Sequence, residues 1–167
     1  MGKLKLCLYG HPIFRARCSP IAKIDEEIKQ IALEMVEIMD KNGAIGLAAP
    51  QVGVALQLFV LRNLLPLPDG TLVPSSPLVF INPKILSQSS ETAKAKEASP
   101  SFPGVEELIE RPIAVTIEAL DLTGKSFIDS SEGINARIRF HEIEQLNGKL
   151  FIDHLPEKKR KAIEQRL

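Results

Sequence analysis

The sequence predicts an α+β fold built on antiparallel sheets, and three observations carry that prediction. Apolar residues recur at helical spacing near each end of the 167-residue chain. Between those helical stretches lie short segments with strand patterning, bounded by turns rich in Gly, Pro and Asp. One of them, Ile113 to Leu120, alternates cleanly and closes on Asp121-Leu122-Thr123-Gly124, the composition of a tight turn between antiparallel strands.

In order, residues 1 to 23 carry Tyr9-Gly10-His11-Pro12 and read as an irregular arm, with His11 as a capping or surface side chain. From Ile24, the residues Ile28, Ile31, Ala32, Met35, Ile38 and Met39 mark the apolar face of an amphipathic helix whose other face is charged. The Met pair reads as core, and Asn42-Gly43 supplies a left-handed C-terminal cap. Gly43 to Gly53 then packs three glycines and three alanines into eleven residues, too small-sided for an ordinary strand and suited to the wall of a site. It lacks the G-x-x-x-x-G-K-[S/T] of a phosphate loop. Leu56 to Arg62 and Val79 to Leu86 read as strands. The four prolines and Asp69-Gly70 between Leu64 and Pro77 read as a surface loop. Ser87 to Lys96 is polar. A second helix is expected from about Ser131 to Asn147, capped by Asn147-Gly148, with Ile134, Ile138, His141 and Gln145 on one face. Phe151-Ile152 suggests a short strand, and residues 156–167 a charged C-terminal helix. No repeat or boundary divides the chain, so residues 1–167 form one domain.

Composition narrows the function. Twenty-one basic residues balance twenty-one acidic ones, so no net field draws the chain to nucleic acid, and no specific DNA binding is expected. No apolar run approaches the roughly 20 residues that span a bilayer, and the N-terminus has no hydrophobic signal core. Met1-Gly2 is not a myristoylation signal, since Leu6 stands where Ser or Thr is required. The cytoplasm, or the interior of an endosymbiotic organelle, is the expected location. Cys7 and Cys18 read as free thiols.

The densest chemistry lies in Phe140-His141-Glu142-Ile143-Glu144-Gln145-Leu146-Asn147-Gly148, one residue short of H-E-x-x-H. In that pattern two imidazoles one helical turn apart hold a metal and the glutamate acts as general base. Positions 141 and 145 are separated by roughly 6 Å along a helix axis, so both reach one point. A carboxamide at 145 keeps the geometry and loses the ligand chemistry.

Two further segments, Ile45-Gly46-Leu47-Ala48-Ala49-Pro50-Gln51 and Glu97-Ala98-Ser99-Pro100-Ser101, join this one in a recognisable order. Together they resemble peptide deformylase, the metallohydrolase family that removes the formyl group from N-formyl-methionyl nascent chains during protein biosynthesis. The family patterns are G-Φ-G-Φ-A-A-x-Q, E-G-C-L-S and H-E-x-x-H, and the match spans nearly the whole chain. The resemblance implies a peptide-deformylase-like fold, antiparallel sheets around a central helix carrying the degenerate H-E-x-x-Q, with an N-terminal and a C-terminal helix. It implies Fe²⁺ or Zn²⁺ held at positions 99, 141 and 145, with a water in the fourth place.

Here those positions hold Ser99, His141 and Gln145, so the metal is expected to be absent or weakly bound. Glu142 and Gln51 match the family's general base and one oxyanion donor. The other donor, a backbone N–H, falls on Pro100, which has none. Losing such a donor costs on the order of 2.7–4 kcal/mol of transition-state stabilisation. Ala98 replaces a family glycine and raises the question of backbone torsion. By resemblance the substrate pocket falls to Ile45, Gly46, Leu47, Glu97, Ile134 and Ile138. Arg137 stands where an apolar wall is implied, unless it turns to solvent.

Three readings follow: a family member impaired or inactive as a metallohydrolase, in effect a pseudoenzyme that binds peptide or ribosome; an active deformylase with a rescued metal site; and a metal-free hydrolase using Ser99 or Ser101. The partners implied are formyl-methionyl peptide and, through Lys158, Lys159, Arg160 and Lys161, the ribosome. Rescue ligands are scarce, since Glu144 lies on a neighbouring helix face and His154 beyond the Gly148 cap.

Overall fold

The computed structural model describes residues 4–167; Met1 and Gly2 lie outside them. Helix α1 (Glu26–Lys41) starts at Asp25, whose carboxylate accepts from Ile28 N at 3.0 Å, and ends at Asn42 with Gly43 at φ +66°. Strands β1 (Gly46–Ala48), β2 (Leu58–Pro66), β3 (Leu72–Gln88), β6 (Ala114–Leu120) and β7 (Ser126–Glu132) form one antiparallel sheet in the order β1-β2-β3-β6-β7. Strands β4 (Thr92–Ala98) and β5 (Glu106–Pro112) make a separate hairpin. Helix α2 (Ile134–Leu146) follows β7 through Gly133 at φ +64°, and α3 (Glu157–Arg166) closes the chain.

The larger sheet is covered on both faces, which is why Leu58, Phe59, Val60 and Leu61 form an unbroken apolar run, every one of them buried. Phe59 and Leu61 face α2 and pack with Phe80, Ile117, Ile138 and Leu146. Leu58 and Val60 face the opposite way and meet α1 through Met35 and Met39. A third cluster of Phe14, Phe102, Ile109, Phe151 and Ile163 joins the arm, the hairpin and α3. α2 thus stands between the two sheets and holds both in place.

Several expectations need correction. The small-residue stretch does contain a strand, β1, because a strand needs only backbone partners, and Gly46 to Ala48 pair with Leu61 to Phe59. Leu64 to Pro77 is not a loop but the outer part of a hairpin, turning at Leu67 to Thr71. Prolines are tolerated there because residues 72 to 78 of β3 pair with β2 alone. Ser131 and Glu132 belong to β7, so α2 starts three residues later than its sequence pattern suggests. Phe151-Ile152 opens a buried 3-10 turn rather than a strand. The β4–β5 hairpin was not legible: it is largely exposed, so its sequence is polar and carries no apolar alternation.

His11 caps a 3-10 turn by accepting from Ile13 N, and both cysteines are free thiols. No helix among the described residues is long and apolar enough to cross a membrane.

Candidate functional site

Three elements converge on one cavity of about 330 Å³: the β1 segment, the end of β4 with the turn after it, and one stripe of α2. Ile45, Gly46, Glu97, Ile134 and Ile138 line it, together with Gln51, Ser99, Pro100, His141 and Glu142. Leu47 does not. Strand alternation turns its side chain away, into the core beneath α1.

Glycine at position 46 makes room for a close approach. A Cβ there would stand 2.5 Å from Glu142 Oε2 and 3.1 Å from Ile138 Cγ2, so α2 packs its carboxylate directly against the β1 backbone. At the end of β4, Glu97 turns inward and Ala98 to solvent, and Ser99, the first residue beyond the strand, is buried again. Ala98 is free of the torsional doubt: Asn82 is the one non-glycine residue at positive φ among the described residues. Pro100 follows within a tight turn closed by Phe102 N donating to Ser99 O at 2.9 Å.

The cavity wall has a charged half and a neutral half. Glu97 centres the first, accepting from Arg111 Nε and Nη2 at 2.8 Å each, from Arg137 Nη1 at 2.8 Å, and contacting His141 Nδ1 at 2.8 Å. Arg111 Nη1 pairs in turn with Glu144 Oε1 at 2.7 Å, which His154 Nε2 meets at 2.6 Å. Burial alone would push the Glu97 carboxyl up. The hydrogen bonds from Arg111 and His141 outweigh it and hold the group far below the usual carboxylate range. Burial works against the charged form of His141, but the bond to Glu97 and the nearby Glu142 charge raise its pKa overall.

The neutral half is a chain of amides and hydroxyls. Gln145 Nε2 donates to Glu142 Oε1 at 3.0 Å and to Gln51 Oε1 at 3.2 Å. Gln51 Oε1 also accepts from Ala48 N at 3.0 Å, while its Nε2 donates to Ser99 Oγ at 3.3 Å and Ser101 Oγ at 3.2 Å. Ser99 Oγ further accepts from Ser101 N at 3.2 Å. Among the described residues Glu142 has no guanidinium partner. Burial is the main cause that lifts its carboxyl to about 7, with the His141 charge acting the other way.

The structure brings Gln51, Ser99, His141, Glu142 and Gln145 together, the helix positions as their spacing suggests and Gln51 and Ser99 as the resemblance implies. Arg111 was missed, and no local signal marks it, since its partners lie 14 and 33 residues away in the chain. Arg137 does not turn to solvent: it is buried, and besides Glu97 it bonds Ile109 O at 2.7 Å and Ala93 O at 2.8 Å.

The donors present do not suit the metal that the resemblance implies. They are one imidazole, a neutral hydroxyl and a carboxamide, and the carboxamide nitrogen is turned towards Glu142 and Gln51. Glu144 and His154 are engaged with Arg111 and with each other. Among the described residues no group of three or more His, Cys, Asp or Glu side chains is placed to hold a metal ion.

Comparison with known proteins agrees with this architecture. The family model for polypeptide deformylase matches residues 3–161. A peptide deformylase of Borreliella burgdorferi is 42% identical over 155 residues, covering 93% of this chain and 89% of that one. One from Endomicrobium trichonymphae is 37% identical over 167 residues, covering 100% and 95%. The crystal structure of a peptide deformylase from Ehrlichia chaffeensis superposes with a TM-score of 0.91 at 32% identity, covering 99% of this chain and 96% of that one. A match of this extent, in sequence and in fold, places the chain in the polypeptide deformylase family.

Proposed function

We propose that this chain is a deformylase family member that has lost metal-dependent hydrolysis and uses the cavity to bind peptide chain ends. The observation that carries the reading is Gln145, whose amide nitrogen bridges Glu142 and Gln51. A metal-ligand position has become a hydrogen-bond donor, and the general-base position is occupied by that bond. Fe²⁺ or Zn²⁺, which the family uses to activate water for attack on the formyl group of formyl-methionyl peptides, would meet a single imidazole, His141. Ser99 offers neither charge nor a soft donor, and Pro100 has no N–H for the oxyanion.

The binding part of the reading rests on backbone. β1 is the edge of the larger sheet, and Ile45 and Gly46 line the cavity beside it, so an extended chain end can add along that edge with its first side chain in the pocket. Contact with the ribosome through α3 is a separate proposal. Lys159, Arg160 and Lys161 already face carboxylates at 3.2, 3.9 and 2.9 Å, which leaves Lys158 as the run's cation with no carboxylate partner among the described residues.

The test is reversion. Ser99→Cys, Pro100→Leu and Gln145→His together are expected to yield one bound Fe²⁺ or Zn²⁺ per chain and turnover of a formyl-methionyl peptide. Equal metal content and turnover before and after reversion would overturn the reading. Ser99 as nucleophile is a second outcome of the same assays, favoured by the Glu97–His141 contact that would orient a base. Turnover that needs no metal and vanishes in Ser99→Ala would establish it.

A further inference from the structure

We propose that Arg137 makes the cavity select a chain end whose first side chain is an aliphatic stem ending in a carboxylate, as in glutamate. This rests on the reading that the cavity holds a peptide end. α2 lines the cavity with Ile134, Arg137, Ile138 and His141, spaced i, i+3, i+4 and i+7. Arg137 therefore shares its face of the cavity with aliphatic residues, Ile45 contributing to the same wall, and its guanidinium is fixed at Glu97, Ile109 O and Ala93 O.

Its bonding is incomplete. Nη1 donates to Glu97 Oε2 and Ile109 O, and Nη2 donates to Ala93 O. A guanidinium carries five N–H groups. Nε–H and one Nη2–H thus have no acceptor among the described residues, and the Nε/Nη2 edge of a guanidinium is one that grips a carboxylate as a fork. The three bonds already made reach β4 and β5, so the side chain is ordered before any ligand arrives, and little further entropy is lost on binding. Lys96 adds a second cation to the lining, held loosely by Glu106 at 3.6 Å.

Two acids oppose the proposal. Glu97 shares the guanidinium, but Arg111 and His141 also hold it, so its charge is largely answered. Glu142 lines the cavity as well, and its carboxylate is pressed against Gly46. An apolar first side chain faces the converse problem, since it would strip water from two guanidinium donors and offer them nothing. On this balance a carboxylate-bearing stem fits better than methionine.

The experiment measures anisotropy of formyl-Xaa-Ala-Ser-Lys(fluorescein) peptides with the full chain, where Xaa is glutamate, glutamine or norleucine. Glutamate is expected to bind on the order of tenfold more tightly than norleucine, with glutamine between them. Arg137→Ile is expected to reverse that order, and Arg137→Lys, which keeps the charge without the fork, to narrow it. Norleucine equal to or tighter than glutamate on the unaltered chain overturns the proposal and leaves the peptide-binding reading standing. No binding by any of the three overturns both. The unaltered chain decides the matter even if neither variant folds.

Discussion

Glu97 and Glu142 are two buried acids on the wall of one cavity, and their surroundings have opposite effects on them. Glu97 meets two guanidiniums and an imidazole; Glu142 meets one amide nitrogen. The first is held ionised and the second is pushed to about 7. The His141 charge acts on Glu142 as well, but it does not offset the burial. The charged half of the site is joined by ion pairs, while Gln51, Ser99, Ser101 and Gln145 join the other half by hydrogen bonds.

The largest effect is expected from breaking the charged half. Glu97→Ala leaves Arg111 and Arg137 buried without their shared carboxylate, and a loss of about 3–5 kcal/mol in urea-denaturation stability is expected. A loss below about 1 kcal/mol would mean that the cluster is not what joins the hairpin to α2.

Next comes pH, where the two acids have opposite signs. The folded pKa of Glu142 lies above its ordinary value of 4.5, so its contribution is full below pH 4.5 and is lost as pH rises through about 7. Glu97 is depressed, so its contribution is present above the ordinary carboxylate range and is lost only in strong acid. Between pH 5 and 8 stability is expected to fall by roughly 1–3 kcal/mol on account of Glu142. Glu142→Gln should flatten that slope, which denaturation curves at the two pH values would register.

A smaller effect tests the contact between β1 and α2. Gly46→Ala places a methyl on Glu142 and is expected to cost about 1–3 kcal/mol. Glu142→Ala in the same chain should remove most of that cost, and simple additivity of the two changes would show that the groups do not touch.

How much of this was legible in the sequence follows the range of the interactions. α1 and its caps announce themselves through periodicity, and the strands around Phe59 and Phe80 through short apolar runs bounded by turn residues. The lining positions on α2 follow from helical spacing once His141 is singled out. Arg137 was noticed, yet whether it faced water or the interior depended on Glu97, 40 residues away on a hairpin that the sequence did not reveal. Arg111 was invisible for the same reason. Leu47 was misplaced because a motif names consecutive residues and a strand sends alternate ones to opposite faces.

The central claim is that the neutral half no longer holds a metal. Its most direct test is metal content and formyl-methionyl peptide turnover of the unaltered chain, purified without oxygen and dialysed against Fe²⁺ or Zn²⁺. Metal far below one equivalent, with no turnover above a metal-free control, is the expected result. One equivalent of metal per chain, with turnover that a chelator abolishes, would contradict the account.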